Sequence, residues 1–292
     1  MTETGWLITH DRCLDGATAA LLAEAANLHP LFVEPDRVVP AIAGLDSDKP
    51  VYLADVSIPL SDWDTYGTRI TWLLDHHQSA LRLAAKPRVT IDLSRSGAHL
   101  WYDFVVEQGW IKPSAHWQRL VYAVERYDLW KPRHAAGENL NRLFHANGWD
   151  WYRQRFSAGW VPYTPAEADQ LARLIAEERA YVARHVKNAE WRALADGLRL
   201  AGVVLDSEGP VNQVSHQLIE RGADLVLTIK PDGRISARSS SRVDAAKVME
   251  ANFQGGGHAR AAGGRLPAGE SSPTALHEAL DTIAAYLKSA PE

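Results

Sequence analysis

The first half of the chain alternates short apolar runs with amphipathic stretches. Apolar runs at residues 6–8, 31–33, 51–54 and 70–74 predict strands, and the Ala- and Leu-rich segment 15–27 predicts a helix. Strands that alternate with helices indicate βαβ units and therefore a parallel sheet. Two further helices, predicted at 97–108 and 114–126, complete this part of the chain.

The pattern changes after residues 162–165, where two prolines interrupt the periodicity. Residues 166–195 predict one long charged helix or a helix pair, and strands are predicted at 198–205, 225–230 and 234–238. The turn residues Pro231-Asp232-Gly233 join the last two strands into a hairpin. A final helix is predicted at 274–287.

These patterns predict an α/β protein of two domains. An N-terminal domain with a doubly wound, mostly parallel sheet is expected over 1–160, a helical connector over 161–196, and a smaller α/β domain over 197–292.

Composition narrows the class of protein. The net charge of −5 argues against a protein that coats long nucleic acid, but it is compatible with a short anionic substrate. The single cysteine, Cys13, excludes an internal disulfide. No apolar stretch is long enough to span a bilayer, and the first apolar run is too short for a signal peptide. We therefore expect a cytoplasmic protein without a membrane partner.

Acids and imidazoles stand where the predicted strands end. Asp75-His76-His77 closes the run 70–74, Asp55 closes 51–54, and His10, Cys13 and Asp15 follow 6–8. The carboxyl ends of parallel strands meet at one edge of a sheet, where open α/β folds bind their ligands. Carboxylate and imidazole groups also ligate divalent metals. The sequence therefore predicts a divalent-metal site at this edge.

A glycine-rich segment lies far downstream, at Gly255-Gly256-Gly257-His258-Ala259-Arg260-Ala261-Ala262-Gly263. With the ordered strand-end motifs, it makes most of the chain resemble the DHH/DHHA1 phosphoesterase family. Within that family the chain looks like the nano-RNase or oligoribonuclease type, in a variant form with Cys in the first metal motif. The resemblance implies a DHH domain, a DHHA1 domain and an active site in the cleft between them.

The resemblance also implies two metal ions with a defined ligand set. His10 and Asp55 would hold the first ion, and Asp55 would bridge to a second ion held by Asp15, His76 and Asp128. Asp75 would be a ligand or would orient a neighbouring imidazole, and His77 would face the substrate phosphate. Carboxylate and imidazole ligands fit Mn²⁺ better than they fit a zinc site, which would be rich in thiolates, and Mg²⁺ or Co²⁺ are possible substitutes for Mn²⁺.

Cys13 departs from the family pattern. In the family the first motif carries His followed by Asp-x-Asp-Gly, and here it is His10-Asp11-Arg12-Cys13-Leu14-Asp15-Gly16. Cys13 thus replaces the first Asp. It could ligate as a thiolate, lie near an ion that other ligands hold, or leave the site weaker. Asp11 is an alternative ligand.

The glycine-rich segment predicts a substrate site. Gly256 and Gly257 let the backbone approach a ligand, and successive N–H groups can bind an anion. The Ala-rich segment that follows, if helical, would add a helix N-terminus. The resemblance implies that Arg238 and Ser239 contact a substrate phosphate or terminal nucleotide, and that His258 contacts the scissile phosphate or the nucleotide.

The leading hypothesis is a Mn²⁺-dependent phosphodiesterase that hydrolyses short oligonucleotides or linear dinucleotides to 5′-mononucleotides with metal-activated water. Alternatives are a phosphatase for nucleoside bisphosphates or polyphosphate, and a cyclic dinucleotide phosphodiesterase. A nucleotide-binding regulator without turnover is a further alternative, motivated by Cys13. RNA or DNA preference, digestion polarity and homodimer formation are left open by the sequence.

Overall fold

The computed structural model describes residues 5–46, 48–129, 134–207, 209–267 and 271–289. Two compact units make up the chain, Met1–Leu171 and Ala172–Glu292. Each unit has its own sheet and its own apolar core.

The first unit is built on a five-stranded parallel sheet, which confirms the predicted α/β class. Its strands lie in the order β2-β1-β3-β4-β5, and all four strand pairs are parallel. The strands are β1 (Trp6–His10), β2 (His29–Val33), β3 (Val51–Ala54), β4 (Ile70–Asp75) and β5 (Val89–Ile91). Because β1, β3 and β4 are neighbours, their carboxyl ends meet at one place.

Helices cover both faces of this sheet, as in a doubly wound fold. They are α1 (Leu14–Ala25), α2 (Val38–Gly44), α3 (Trp63–Tyr66), α4 (Gly97–Glu107), α5 (Ala115–Asp128) and α6 (Ala135–Phe156). One face buries an aromatic cluster that includes Trp101, Phe104 and Tyr152. The other face buries mostly aliphatic side chains such as Ile8 and Leu53.

Helix α7 (Pro165–Lys187) begins with a reciprocal capping box. The Glu167 carboxylate accepts from the Thr164 N–H at 2.7 Å, and the Glu167 N–H donates to Thr164 Oγ1 at 3.2 Å. The prediction of helix over 166–195 is wrong at its end, because Glu190–Ala193 forms strand β6. The Trp191 ring lies 4.7 Å from the Arg199 guanidinium across the strand pair, a contact that periodicity does not reveal. The predicted limits of the connector stay predictions.

The second unit contains a six-stranded mixed sheet in the order β10-β11-β9-β8-β7-β6. Its further strands are β7 (Arg199–Val204), β8 (Leu225–Ile229), β9 (Arg234–Ser239), β10 (Gly256–His258) and β11 (Ala261–Arg265). Its helices are α8 (Val211–Glu220), α9 (Ala245–Phe253) and α10 (Pro273–Ser289). Strands β8 and β9 pair antiparallel, which confirms the predicted hairpin. In the described part of the chain, no helix has the length and apolar character that a membrane crossing requires.

The alternative of a helix after the glycine-rich segment is wrong. Residues Ala261–Arg265 form β11, which pairs with β9 on one side and β10 on the other. A Cβ added to Gly255 would lie 2.0 Å from the Gly263 carbonyl oxygen, so the two chain segments approach too closely for a larger residue. The segment therefore offers strand N–H groups and not a helix N-terminus.

Candidate metal centre

Three adjacent strands deliver polar groups to the carboxyl edge of the first sheet. Strand β1 ends at His10, Asp55 follows β3, and β4 ends at Asp75 with His76 next. Asp55 has a left-handed backbone, with φ of 62°, and its N–H donates to the Leu74 carbonyl at 3.2 Å. Left-handed backbone in a non-glycine residue is uncommon and is concentrated at functional sites. The fold thus holds this carboxylate in a fixed position.

Asp55 lies between two groups of candidate ligands. Its Oδ1 is 3.1 Å from His76 Nε2, whereas its Oδ2 is 3.1 Å from Cys13 Sγ and 3.9 Å from His10 Nδ1. His10, Cys13 and Asp55 form a set whose ligand atoms all lie within 4.8 Å of one another. The family resemblance implied a bridging carboxylate at this position. Metal ligation by these side chains stays a prediction.

A second set contains Asp15, His76 and Asp128, again with ligand atoms within 4.8 Å of one another. His76 Nε2 lies 3.9 Å from Asp15 Oδ2 and 3.4 Å from Asp128 Oδ2. The Ala98 N–H fixes the buried Asp15 by donating to its Oδ1 at 3.1 Å. The structure therefore brings in Asp128 from the end of α5, 52 residues beyond His76 in the chain.

Asp75 is buried and orients His77. Its Oδ1 accepts from the backbone N–H of His76 at 2.7 Å and of His77 at 3.2 Å, and it lies 2.7 Å from His77 Nδ1. The His77 side chain is 44% exposed. Of the two roles considered for Asp75, this geometry favours orientation of His77, although Asp55, Asp75, His76 and His77 also form a group that could hold an ion.

Gly16 and Gly97 leave room for the site, and Ser96 caps the helix that begins beside it. Gly16 belongs to the first metal motif, whereas the sequence predicted no role at the site for Ser96 or Gly97. A Cβ on Gly97 would lie 2.6 Å from the Asp55 Cβ, and a Cβ on Gly16 would lie 2.2 Å from the His10 carbonyl oxygen. Ser96 accepts from the His99 N–H and so caps α4. A Ser-Gly pair before an apolar periodic run is a recognisable helix start, and that signal could have found Ser96 and Gly97.

Glu34 was also missed, although its Oε2 lies 3.8 Å from His10 Nε2. Asp11, the alternative ligand, forms an ion pair with Arg12 at 3.4 Å between Oδ2 and Nε. Among the described residues, the three groups that could hold an ion do not include Asp11.

The carboxylates and histidines of the candidate metal centre shift one another's pKa values. Burial, together with the negative charges of Asp55 and Asp128, raises the pKa of Asp15 well above its ordinary value. Burial alone would raise the pKa of Asp55, but the hydrogen bond from His76 and the charges of the two histidines lower it. Burial alone would lower the pKa of His76, but Asp55, Asp15 and Asp128 raise it. A bound cation would relieve the mutual repulsion of these carboxylates.

The residues present fit divalent ions because, in the described part of the chain, buried carboxylate oxygens lack hydrogen-bond partners and because the donor atoms are of a suitable type. Three buried carboxylate oxygens, Oδ2 of Asp15, Asp75 and Asp128, have no hydrogen-bond partner among the described residues. Buried polar atoms without partners are rare in native proteins and often mark an ion or water site. Carboxylate and imidazole donors suit divalent ions such as Mn²⁺, Mg²⁺ and Co²⁺.

Cys13 has a structural role in addition to its place beside Asp55. It is the N-cap of α1, and its Sγ accepts from the Gly16 N–H at 3.1 Å. Burial, Asp55 and Asp15 raise the pKa of the Cys13 thiol well above its ordinary value. Without a metal ion the group is therefore a neutral thiol that donates to Asp55, and ligation as a thiolate would require an ion to displace the proton.

The predicted substrate residues lie in the second unit, on the interior strand β9 and the edge strand β10. Arg238 on β9 donates to Asn212 Oδ1 at 2.8 Å, and Ser239 Oγ donates to the Ala259 carbonyl at 2.8 Å. Gly256 and Gly257 lie on β10, and a Cβ on Gly257, at φ of 140°, would lie 2.6 Å from the Ala261 carbonyl oxygen. The side chain of His258 lies outside the described part of the structure. Substrate contact by these residues stays a prediction.

Comparison with known families adds a decisive observation for the second unit. The sequence profile of the DHHA1 domain matches residues 209–289. The matched residues all lie in the second unit. No curated protein matches the sequence significantly.

Solved structures share the fold of nearly the entire chain. The manganese-bound exonuclease RecJ has a TM-score of 0.62 at 15% identity, over 99% of this chain and 91% of that one. The DHH domain of a protein described as a member of a family of ribosomal proteins has a TM-score of 0.58 at 13% identity, over 99% and 88%. The pGpG-specific phosphodiesterase PggH from Vibrio cholerae has a TM-score of 0.52 at 13% identity, over 98% and 99%. The chain therefore shares the α/β fold of these solved structures over nearly its entire length.

Proposed function

We propose that the chain is a Mn²⁺-dependent phosphodiesterase that hydrolyses short oligonucleotides or linear dinucleotides to 5′-mononucleotides. The observation that carries the proposal is the pair of ligand sets around Asp55, one with His10 and Cys13 and the other with Asp15, His76 and Asp128. These residues would hold two adjacent divalent ions, which would supply an activated water and offset negative charge at phosphorus.

The protein's own residues account for binding and proton handling. Asp75 fixes the orientation of His77 through Nδ1, which leaves Nε2 of a partly exposed ring for the substrate. Burial alone would lower the pKa of His77, but the hydrogen bond and charge of Asp75 raise it. A protonated His77 can donate to a phosphate oxygen or to the departing oxygen of the ester.

The choice of substrate draws on relatives and on the second unit. RecJ is an exonuclease and PggH is a pGpG-specific phosphodiesterase, so two proteins with this fold cleave phosphodiesters of nucleotides. In the DHHA1 domain, Arg238 and Ser239 stand on the strand next to β11, and the glycines of β10 stand on its other side. An arginine, a hydroxyl and exposed strand N–H groups suit the phosphates of a short nucleotide chain.

A phosphatase acting on a nucleoside bisphosphate or polyphosphate is the second candidate. An exopolyphosphatase-related protein from Bacteroides fragilis shares the fold, with a TM-score of 0.53 at 12% identity over 98% of this chain and 94% of that one. The ligand sets alone do not distinguish a phosphomonoester from a phosphodiester.

The deciding experiment is product analysis of the purified protein with Mn²⁺, Mg²⁺ or Co²⁺. Substrates are a 5′-labelled RNA dinucleotide and pentanucleotide, a cyclic dinucleotide, a nucleoside 3′,5′-bisphosphate and polyphosphate. The inactive reference is Asp55→Asn, which keeps the shape of the side chain and removes its charge. The matched control is Asp64→Asn, since the Asp64 side chain is 94% exposed on α3.

Mononucleotides from the two RNAs, absent with Asp55→Asn and normal with Asp64→Asn, are the expected result. Phosphate released only from the bisphosphate or polyphosphate would replace the proposal with the phosphatase. Cleavage of the cyclic substrate alone would make the protein a cyclic dinucleotide phosphodiesterase. Nucleotide binding without any product, under all three metals, would contradict an enzymatic function.

A further inference from the structure

A pocket of about 340 Å³ opens in the first unit beside the candidate metal centre. Its walls come from the loop after β1, from Phe32 on β2 and from α6. Known ligand pockets occupy about 300–1,000 Å³ and are mostly apolar with a few polar groups, so this one has the size for a nucleobase and its sugar. None of the ligand sets or predicted substrate residues accounts for it.

Aromatic rings form most of the wall. Phe32 and Trp149 meet edge to face with ring centres 5.0 Å apart, and both are only partly buried. Phe144 lies deeper and is 6% exposed. Partly exposed aromatic rings beside an open volume offer flat faces on which a planar ligand can stack.

The shape of the pocket depends on an interruption in α6. Gly148 has φ of 76° and ψ of −173° inside the helix, a conformation that favours glycine. A Cβ added there would find nothing within 4 Å, so the space above the kink is open. The kink directs the chain so that Trp149 reaches Phe32 on the neighbouring strand.

The polar rim adjoins the metal centre through the backbone. Asp11 and Arg12 lie in the pocket wall and occupy the two positions between His10 and the Cys13 N-cap. The Asp11 N–H donates to the Val33 carbonyl at 3.0 Å, which ties the loop to β2. Arg12 has a left-handed backbone and a side chain that is 83% exposed, so its guanidinium is accessible to a ligand.

We propose that this pocket is a nucleobase subsite, formed by Phe32, Phe144 and Trp149, with Arg12 at its mouth. The inference rests on the proposed function, because it assigns the base next to the scissile phosphate to the pocket next to the metal ligands. Stacking on aromatic rings tolerates every base, since each base has a π-face. Arg12 can stack on the base or pair with an adjacent phosphate.

The test compares substrates with and without a base. Steady-state kinetics are measured on an RNA dinucleotide and on analogues in which one sugar is abasic, at each position in turn. The proteins are the wild type, Trp149→Ala, Arg12→Gln and the control Tyr122→Ala, which removes a 49% exposed ring outside the pocket. Arg12→Gln is included because so exposed a side chain can be replaced without disturbing the core.

We expect Trp149→Ala to raise KM for the normal dinucleotide by about 10- to 100-fold, the usual range for loss of one base–aromatic stack. The KM of the wild type should be higher for one abasic analogue than for the normal dinucleotide by a similar factor. This ratio of KM values should fall towards 1 in Trp149→Ala. Arg12→Gln should raise KM less, and Tyr122→Ala should change neither value. Equal losses on normal and abasic substrates, or no loss on either, would overturn the assignment.

Failure of the proposed function is distinguishable from failure of this inference. If the wild type cleaves no phosphodiester, calorimetric titration with AMP, GMP and ribose 5-phosphate tests the pocket directly. Mononucleotide binding that exceeds ribose 5-phosphate binding, and that Trp149→Ala abolishes, would uphold the subsite. Equal binding of nucleotide and ribose 5-phosphate, or equal binding by the two proteins, would refute it.

Discussion

Replacement of Cys13 by Asp should have opposite effects without and with metal: it should destabilise the metal-free protein and strengthen the binding of Mn²⁺. The thiol lies 3.1 Å from Asp55 Oδ2 and caps α1 by accepting from the Gly16 N–H. An aspartate in its place keeps the cap but puts a second negative charge beside Asp55. Without metal this should destabilise the first unit, and with Mn²⁺ the new carboxylate should strengthen ion binding.

The magnitude follows from the geometry. Two unit charges about 4 Å apart repel by about 4 kcal/mol at an effective dielectric constant of about 20. An Asp cap, better than the thiol it replaces, returns about 1 kcal/mol, which leaves a net loss of about 2 to 3 kcal/mol. Since about 1 kcal/mol shifts the Tm of a domain of this size by roughly 2–4 °C, Cys13→Asp should lower Tm by roughly 5 to 10 °C in chelator.

The assay is thermal unfolding of wild type, Cys13→Asp and Cys13→Asn, each with chelator and with excess Mn²⁺. Cys13→Asn is the matched control, because its amide can cap α1 and donate to Asp55 without adding charge. We expect Cys13→Asn to melt close to the wild type in chelator, and Cys13→Asp to gain the most from Mn²⁺. Equal Tm values for the Asp and Asn variants in chelator would refute the charge argument. Equal Mn²⁺ shifts in all three proteins would show that residue 13 does not reach an ion.

Two further predictions concern packing and pH. Gly97→Ala places a Cβ 2.6 Å from the Asp55 Cβ, so it should shift Asp55 and weaken Mn²⁺ binding by at least about 10-fold. The control Gly44→Ala, whose added Cβ has nothing within 4 Å, should not change Mn²⁺ binding. Calorimetric Mn²⁺ titration measures both affinities, and equal affinities would contradict the prediction. Burial alone would raise the pKa of Glu167, but hydrogen bonds from Arg155, the Thr164 N–H and Trp151 lower it to about 2. This carboxylate therefore stabilises the fold at pH values above its unfolded pKa of about 4.5, and it loses that contribution as pH falls towards 2. Glu167→Gln should therefore cost about 2 kcal/mol at pH 7 and much less near pH 2.5, measured as the Tm difference from wild type at each pH, and a difference independent of pH would count against the ion pair.

The strands of the first unit were predictable because each apolar run is short and is followed by a polar group. The residues from 51 to 54, for example, are all buried, which is the pattern of a central parallel strand. Helix α6 was missed because it contains Gly137 and Gly148, and its apolar face has no clear period.

In the second unit, pairing between strands overrides the local secondary-structure preference of the sequence. Ala261 and Ala262 favour a helix by propensity, but β9 and β10 offer backbone partners on both sides, and the surrounding glycines allow the close approach. Similarly, Trp191 lies in β6, which pairs antiparallel with β7, and its ring contacts Arg199 on that strand. Tertiary contacts of this kind leave no periodic signal.

At the candidate site, the strand-end acids and histidines were predictable from motif and order, and the structure brings them together. Asp128 was the weakest inference from sequence, because nothing local distinguishes it from an exposed acid near a helix end. What the sequence could not supply is the three-dimensional neighbourhood: Glu34 beside His10, Gly97 against Asp55, and the aromatic pocket that α6 forms with β2.

The left-handed backbone at Asp55 sets fold stability against function at a single position. A non-glycine residue in that conformation costs of the order of 1 kcal/mol, and the negative charge of Asp55 also disfavours the charged forms of the neighbouring Asp15 and Asp128. Glycine at this position would relieve both penalties and would also remove the carboxylate that faces both ligand sets. Selection for heat resistance alone and selection for chemistry would therefore favour different residues here. The strain at Asp55 persists because the rest of the sheet is stable enough to hold it.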